Sequence, residues 1–156
     1  MSRTAYAGCV TTFFGRNDEL AVLRQRWARA VAGTPQLVVV HGLRQVGKTS
    51  LVRHFLDSLP SSAHRLYMAA TLETSQDSQL ARLAEIGQTH RPRVDLSAST
   101  WARALQVIAD LADTKPTAVA LDEVPYLESS TPGFGSVVQA FWDGLRTRTS
   151  PTGRSQ

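Results

Sequence analysis

The sequence has one cysteine, two lysines and no apolar run long enough to cross a membrane. Cys9 alone cannot form an internal disulfide, and no Cys/His cluster has zinc-ligand spacing, so neither a disulfide scaffold nor a structural zinc site is available. Cys9 reads as a small packed residue. The longest apolar runs are about five or six residues, where a membrane-spanning helix needs roughly 18. The N-terminus also lacks a charged region followed by a long apolar one. A cytoplasmic protein without membrane association is the expectation. Basic blocks are missing too. The net charge of +4 comes from fifteen arginines and two lysines scattered along the chain, the pattern of a solvated surface rather than a nucleic-acid stripe.

What is present suits one globular domain. A chain of 156 residues can bury roughly 68–70% of the surface its unfolded form exposes, enough for one core. Leu20, Leu23, Trp27 and Val31 recur at helical spacing behind Asn17 and Asp18, which read as cap candidates, and Gly33-Thr34-Pro35 ends the pattern. Gln36 to His41 is an aliphatic, β-branched run that reads as a strand covered on both faces, with His41 a strand-end residue. Leu51, Val52, Phe55, Leu56 and Leu59 form the next helical stripe. His64 to Ala70 reads as a second strand, Leu80, Leu83 and Ile86 favour a helix, and Thr89 to Asp95 reads as a loop. Trp101, Leu105, Ile108 and Leu111 mark a helix capped by Ser99 or Thr100. Thr117 to Leu121 is a buried strand, Ser129 to Gly133 is a turn, and Phe134, Val137, Val138, Phe141, Trp142 and Leu145 make a last helical stripe. Trp101, Phe141 and Trp142 read as core. Strands alternating with helices predict an α/β layer structure with a mostly parallel sheet.

The chemistry concentrates at two strand ends. Gly42-Leu43-Arg44-Gln45-Val46-Gly47-Lys48-Thr49, followed by Ser50, matches the phosphate-binding pattern G-x-x-x-x-G-K-[ST] at every fixed position, between the aliphatic run and a helical stripe. Gly42 and Gly47 let the backbone turn sharply against a polyphosphate, so that N–H groups and the positive end of the following helix face the anion. Lys48 supplies a compact charge for the β- and γ-phosphates, and Thr49 a hydroxyl for Mg²⁺. Arginine, abundant everywhere else, has the wrong shape for that task. The second strand end is Ala118-Val119-Ala120-Leu121-Asp122-Glu123. Asp122 stands where ligands bind in open α/β sheets and can hold Mg²⁺ through its water shell, while Glu123 can orient or activate a water.

"FFGRNDEL" (Phe13 to Leu20), "HGLRQVGKTSL" (His41 to Leu51) and "ALDEVPYL" (Ala120 to Leu127) together resemble the archaeal-type ATPases of the STAND and AAA+-like P-loop NTPases. The resemblance implies a three-layer P-loop fold, ATP and Mg²⁺ as ligands, and Mg²⁺-dependent hydrolysis, with residues 42–49 as Walker A, the Asp122-Glu123 strand as Walker B and Glu123 as the catalytic glutamate. It also brings Arg16, from the G-R-x-x-E element at Gly15, Arg16 and Glu19, toward the adenine and ribose. It implies a further strand with a polar sensor residue lying between the phosphate-loop strand and the Asp-Glu strand, then an arginine from a lid or neighbouring subunit. No such elements follow Arg148. The expectation is therefore an N-terminal extension over 1–12, a partial ATPase domain over 13–148 and a polar, disordered tail over 149–156. On this expectation the chain is truncated or frameshifted, and any DNA or protein partner is engaged through the absent C-terminal region. A slow signalling switch, a DNA-associated ATPase module and an inactive fragment are the alternatives to a working ATPase. The base-specifying N-K-x-D of GTPases is absent.

Overall fold

The computed structural model describes residues 16–149 other than Arg44 and Glu73. The expected extension over 1–12 and all but the first residue of the expected tail lie outside the described residues. In chain order the elements are α1 (Asn17–Val31), α2 (Lys48–Ser58), β1 (His64–Ala69), α3 (Gln76–Thr89), α4 (Trp101–Ala112), β2 (Thr117–Asp122), α5 (Val124–Ser130) and α6 (Phe134–Thr149). The fold is α/β, with six helices around a small parallel sheet.

β1 and β2 pair in parallel from His64 opposite Thr117 to Ala69 opposite Asp122. Alternate residues of a strand point to opposite faces, and two cores follow from that alternation. Leu66, Met68, Val119 and Leu121 join a cluster with Leu80, Leu83, Leu96, Trp101, Leu127 and Phe134. Tyr67, Ala118 and Ala120 join Leu20, Leu23, Leu51, Phe55, Leu56 and Leu59 of α1, α2 and the turn after α2. Trp101 is fully buried and meets Phe134 edge-on, with ring centroids 5.1 Å apart. Phe141 and Trp142 are only partly buried, so α6 does not place them in the core that the helical stripe predicted.

The aliphatic run Gln36 to His41 is not a strand. It lies between α1 and α2 without joining the sheet, and Val39 is 75% and Leu37 48% exposed. Only Val40 packs against a core, partly buried beside the α1–α2 cluster. A β-branched run is a strand only when neighbouring backbone takes its N–H and C=O groups. Among the described residues β2 pairs with β1 alone, and no third strand offers those groups a partner. The cap of α1 differs too. Arg16 rather than Asn17 or Asp18 is its N-cap, and the Arg16 carbonyl accepts from the Leu20 N–H at 3.0 Å. Thr100 caps α4 as expected, its hydroxyl accepting from the Arg103 N–H.

Two side-by-side contacts stitch α3 to its surroundings. Gln79, fully buried, donates from Nε2 to the Thr71 carbonyl at 2.8 Å and to Thr74 Oγ1 at 2.6 Å, closing the loop that leaves β1. Near the other end of α3, the chain returning from the helix crosses directly over Gly87, where the Val94 N–H donates to the Gly87 carbonyl at 3.0 Å. A Cβ on Gly87 would sit 2.5 Å from the Val94 carbonyl oxygen and 2.9 Å from Leu96 Cγ. Alanine has the better helix propensity by about 1 kcal/mol, yet Gly87→Ala is expected to destabilise the fold by about 1–3 kcal/mol because backbone must move. Thermal melts of the two proteins check this. An unchanged or raised Tm would mean that the crossing is looser than described.

Candidate functional site

α2 starts without the usual protections of a helix N-terminus. Its N-cap is Gly47, at φ 80 and ψ 25, with no side-chain cap, and no acidic residue occupies its first turn. α3 and α4, by contrast, are capped by Ser75 and Thr100. The first N–H groups of a helix have no intrahelical partner and carry its positive dipole end. At α2 these groups are left for an anion. A Cβ on Gly47 would have free space around it, so it is the left-handed backbone that calls for glycine here.

The loop before α2 is exposed at Leu43, Gln45 and Val46, and Ser50 is exposed in the first helical turn. Gly42 also has a positive φ, 152°. Arg44 lies outside the described residues. Lys48 folds back across the loop, its Nζ donating to the Gly42 carbonyl at 3.0 Å and the Leu43 carbonyl at 2.7 Å. The ammonium is thus held at the mouth of the loop by two carbonyls that an incoming phosphate would replace as its partners.

Across the molecule, β2 delivers Asp122 to the same place. Thr49 Oγ1 donates to Asp122 Oδ2 at 2.6 Å, joining residues 73 positions apart. Tyr67, two residues before the register partner of Asp122 on β1, donates its hydroxyl to the same oxygen at 2.7 Å. Oδ1 accepts from the Glu123 N–H at 2.8 Å. Burial pushes the Asp122 carboxyl up. The hydrogen bonds from Thr49, Tyr67 and the Glu123 N–H, with the nearby Arg53 charge, outweigh it and hold the carboxyl below the usual carboxylate range. Burial first, and then the bond to Asp122, push the Tyr67 phenol up, so Tyr67 remains a donor at neutral pH.

These contacts bear on whether a divalent cation fits. Mg²⁺ keeps several waters and takes only one or two protein oxygens, with substrate phosphates completing its shell. A threonine hydroxyl that donates to an ionised carboxylate still has its lone pairs free for a cation. Oδ2 of Asp122 already accepts two hydrogens, so the carboxylate suits water-mediated contact better than direct ligation. Thr49 and Asp122 therefore fit Mg²⁺ of the kind held beside a polyphosphate.

Three non-glycine residues have positive φ among the described residues: Arg16, Gln45 and Glu123. Each belongs to a different one of the three motifs. Left-handed backbone at such residues costs on the order of 1 kcal/mol or more and gathers at functional sites. Arg16 reaches across from the start of α1, its guanidinium donating to the Val46 carbonyl of the loop and pairing with Glu19 at 3.9 Å. Glu123 caps α5 with its backbone, the Glu123 carbonyl accepting from the Tyr126 N–H at 2.8 Å. Its side chain is exposed and makes no hydrogen bond among the described residues. His41 is exposed and takes no part.

The family's sequence profile, described as an AAA ATPase domain, matches residues 12–147, and so spans all three segments that the fold gathers. The chain belongs to the AAA ATPase domain family. No curated protein and no solved structure matches it. Membership makes it a P-loop NTPase, a nucleotide-binding protein by family. In this AAA ATPase domain no helix among the described residues is long and apolar enough to cross a membrane.

Tyr67 and Arg53 are the residues that motif reasoning did not single out. Arg53 of α2 lies over the Tyr67 ring, 4.4 Å from its centroid, and Tyr67 in turn touches Asp122. The alternation of β1 puts Tyr67 on one face of the strand, but only the pairing with β2 says that this face carries the AAA ATPase domain's carboxylate.

Proposed function

We propose that this AAA ATPase domain binds ATP with Mg²⁺ and hydrolyses it by attack of water on the γ-phosphate. The observation that carries the reading is the 2.6 Å bond from Thr49 to Asp122, which joins the phosphate loop to the carboxylate strand. Residues 42–50 cradle the phosphates. Lys48 exchanges the Gly42 and Leu43 carbonyls for phosphate oxygens, and the uncapped start of α2 adds its N–H groups. Thr49 and Asp122 hold Mg²⁺, which when bound neutralises charge on the phosphates. Glu123 takes a proton from, or orients, the attacking water, and its exposed carboxylate is free to do so. Arg16 contacts the base or ribose, a role supported by its tie to the Val46 carbonyl of the loop.

The order of the Arg16, Gly42–Thr49 and Asp122-Glu123 segments supports the archaeal-type, STAND-like branch, whose full domain is three-layered. A slow nucleotide switch is the second reading. The largely exposed aliphatic run at 36–41 favours it, because among the described residues the segment leading into the loop has no sheet partner to hold the loop rigid through a reaction cycle. Calorimetric titration with ATP, with and without Mg²⁺, followed by phosphate release tests both. Tight Mg²⁺-dependent binding with turnover supports the ATPase, and tight binding without turnover supports the switch. ATP binding that ignores Mg²⁺ would sink both.

A further inference from the structure

Beside the nucleotide site, and sharing no residue with the loop 42–49, lies an open hollow of about 570 Å³ between α2, β1 and the end of α3. Its wall carries three arginines from three different elements: Arg53 of α2, Arg65 of β1 and Arg91 just beyond α3. One carboxylate, Asp57, lines it with them. It forms no ion pair with any of the three; the ion pair among the described residues is Arg16 with Glu19. Arg53 rests on the Tyr67 ring, Arg65 has a 3.4 Å contact to the Leu59 carbonyl, and Arg91 is exposed. Three arginines thus line one space with a single carboxylate, Asp57, and none of them is ion-paired to it, although Arg53 also lies near Asp122. His90 lines the hollow with them. Burial, and then the Arg65 charge, push His90 below the usual histidine range, and its ring stays neutral against buried His64, 3.1 Å away.

We propose that this hollow is a second anion site, for a small molecule bearing at least two phosphate groups. Planar guanidiniums bind phosphate bidentately, and three of them converging from separate elements suit an anion with several charged groups. The volume lies within the range of small-molecule sites, roughly 300–1,000 Å³. A nucleic-acid strand calls instead for a stripe of positive charge that tracks its backbone, and the arginines here surround one hollow.

The test uses the whole chain carrying Lys48→Ala, which removes the loop lysine from the reading of the proposed nucleotide site and leaves the hollow untouched. Isothermal titration with inorganic pyrophosphate at physiological salt is expected to give one site. Adding Arg91→Glu, an exposed change, is expected to weaken it at least tenfold, and Arg65→Gln likewise, with far-UV spectra confirming that each variant is folded. No pyrophosphate binding to the Lys48→Ala chain, or binding that both arginine changes leave unaltered, would overturn the proposal. So would a short single-stranded oligonucleotide binding more tightly than pyrophosphate with the same dependence on Arg91, which would make the site one for nucleic acid. Because the Lys48→Ala chain is the starting point, failure here leaves the ATP reading standing, and failure of that reading leaves this site to be judged alone.

Discussion

Lys48→Ala is expected to weaken Mg²⁺·ATP binding by about a hundredfold or more while leaving the melting temperature nearly unchanged. Hydrogen bonds to charged groups contribute roughly 1.5–3 kcal/mol each, and a lysine that spans two phosphates makes more than one. With every 1.4 kcal/mol worth a factor of ten, about 3 kcal/mol already exceeds a hundredfold. The fold should tolerate the loss. Among the described residues Lys48 bonds only to the exposed loop carbonyls of Gly42 and Leu43 and joins neither core cluster. Lys48→Arg should rescue little, because a planar fork cannot take the place of a compact ammonium between those carbonyls. Calorimetry on the three proteins decides it, and an alanine variant that still binds ATP as the parent does would remove Lys48 from the site.

Glu123→Gln separates chemistry from binding. Removing a positioned general base typically costs about 10²–10⁴-fold in rate, so single-turnover hydrolysis should slow by that factor with ATP affinity changed only a few-fold. The structural contribution of Glu123 is made by its backbone, through the N–H to Asp122 Oδ1 and the carbonyl to Tyr126. Glutamine keeps that backbone and the length of the side chain. If affinity falls along with rate, the Glu123 carboxylate contributes to nucleotide binding rather than acting on water alone.

Much of the scaffold was legible because periodicity reports burial directly. The stripe of α2 buries Leu51, Phe55 and Leu56, that of α4 buries Trp101 and Leu105, and the run at Thr117 is β2. What periodicity cannot report is who the neighbours are. Leu37 to Val40 has every local mark of an interior strand, yet strand identity depends on backbone partners that no local pattern encodes, and those residues are largely exposed. α5 escaped for a different reason. Its 7 residues include Pro125 in the first turn and two serines at the end, a composition that reads as turn, although proline is tolerated at a helix start.

The site divides along the same line. Gly42, Gly47, Lys48 and Thr49 were legible as candidates because the phosphate-loop pattern has a fixed local spacing. Asp122 and Glu123 were legible from their place at a strand end. Tyr67 was not, since its contact with Asp122 is made across the sheet, and Arg53 reaches that tyrosine from the helix packed above it. Arg16 was assigned only by family resemblance; its tie to the Val46 carbonyl is a contact that no spacing rule contains.

The central claim is that the loop and the carboxylate strand form one magnesium-dependent ATP site. A double-mutant cycle of Thr49→Val and Asp122→Asn, read as the gain in ATP affinity on adding Mg²⁺, tests it most directly. The account predicts that each single change abolishes most of that gain and that the double variant is no worse than either alone, a coupling of about 1 kcal/mol or more between residues in direct contact. Additive losses, or a magnesium effect that survives in the double variant, would contradict it.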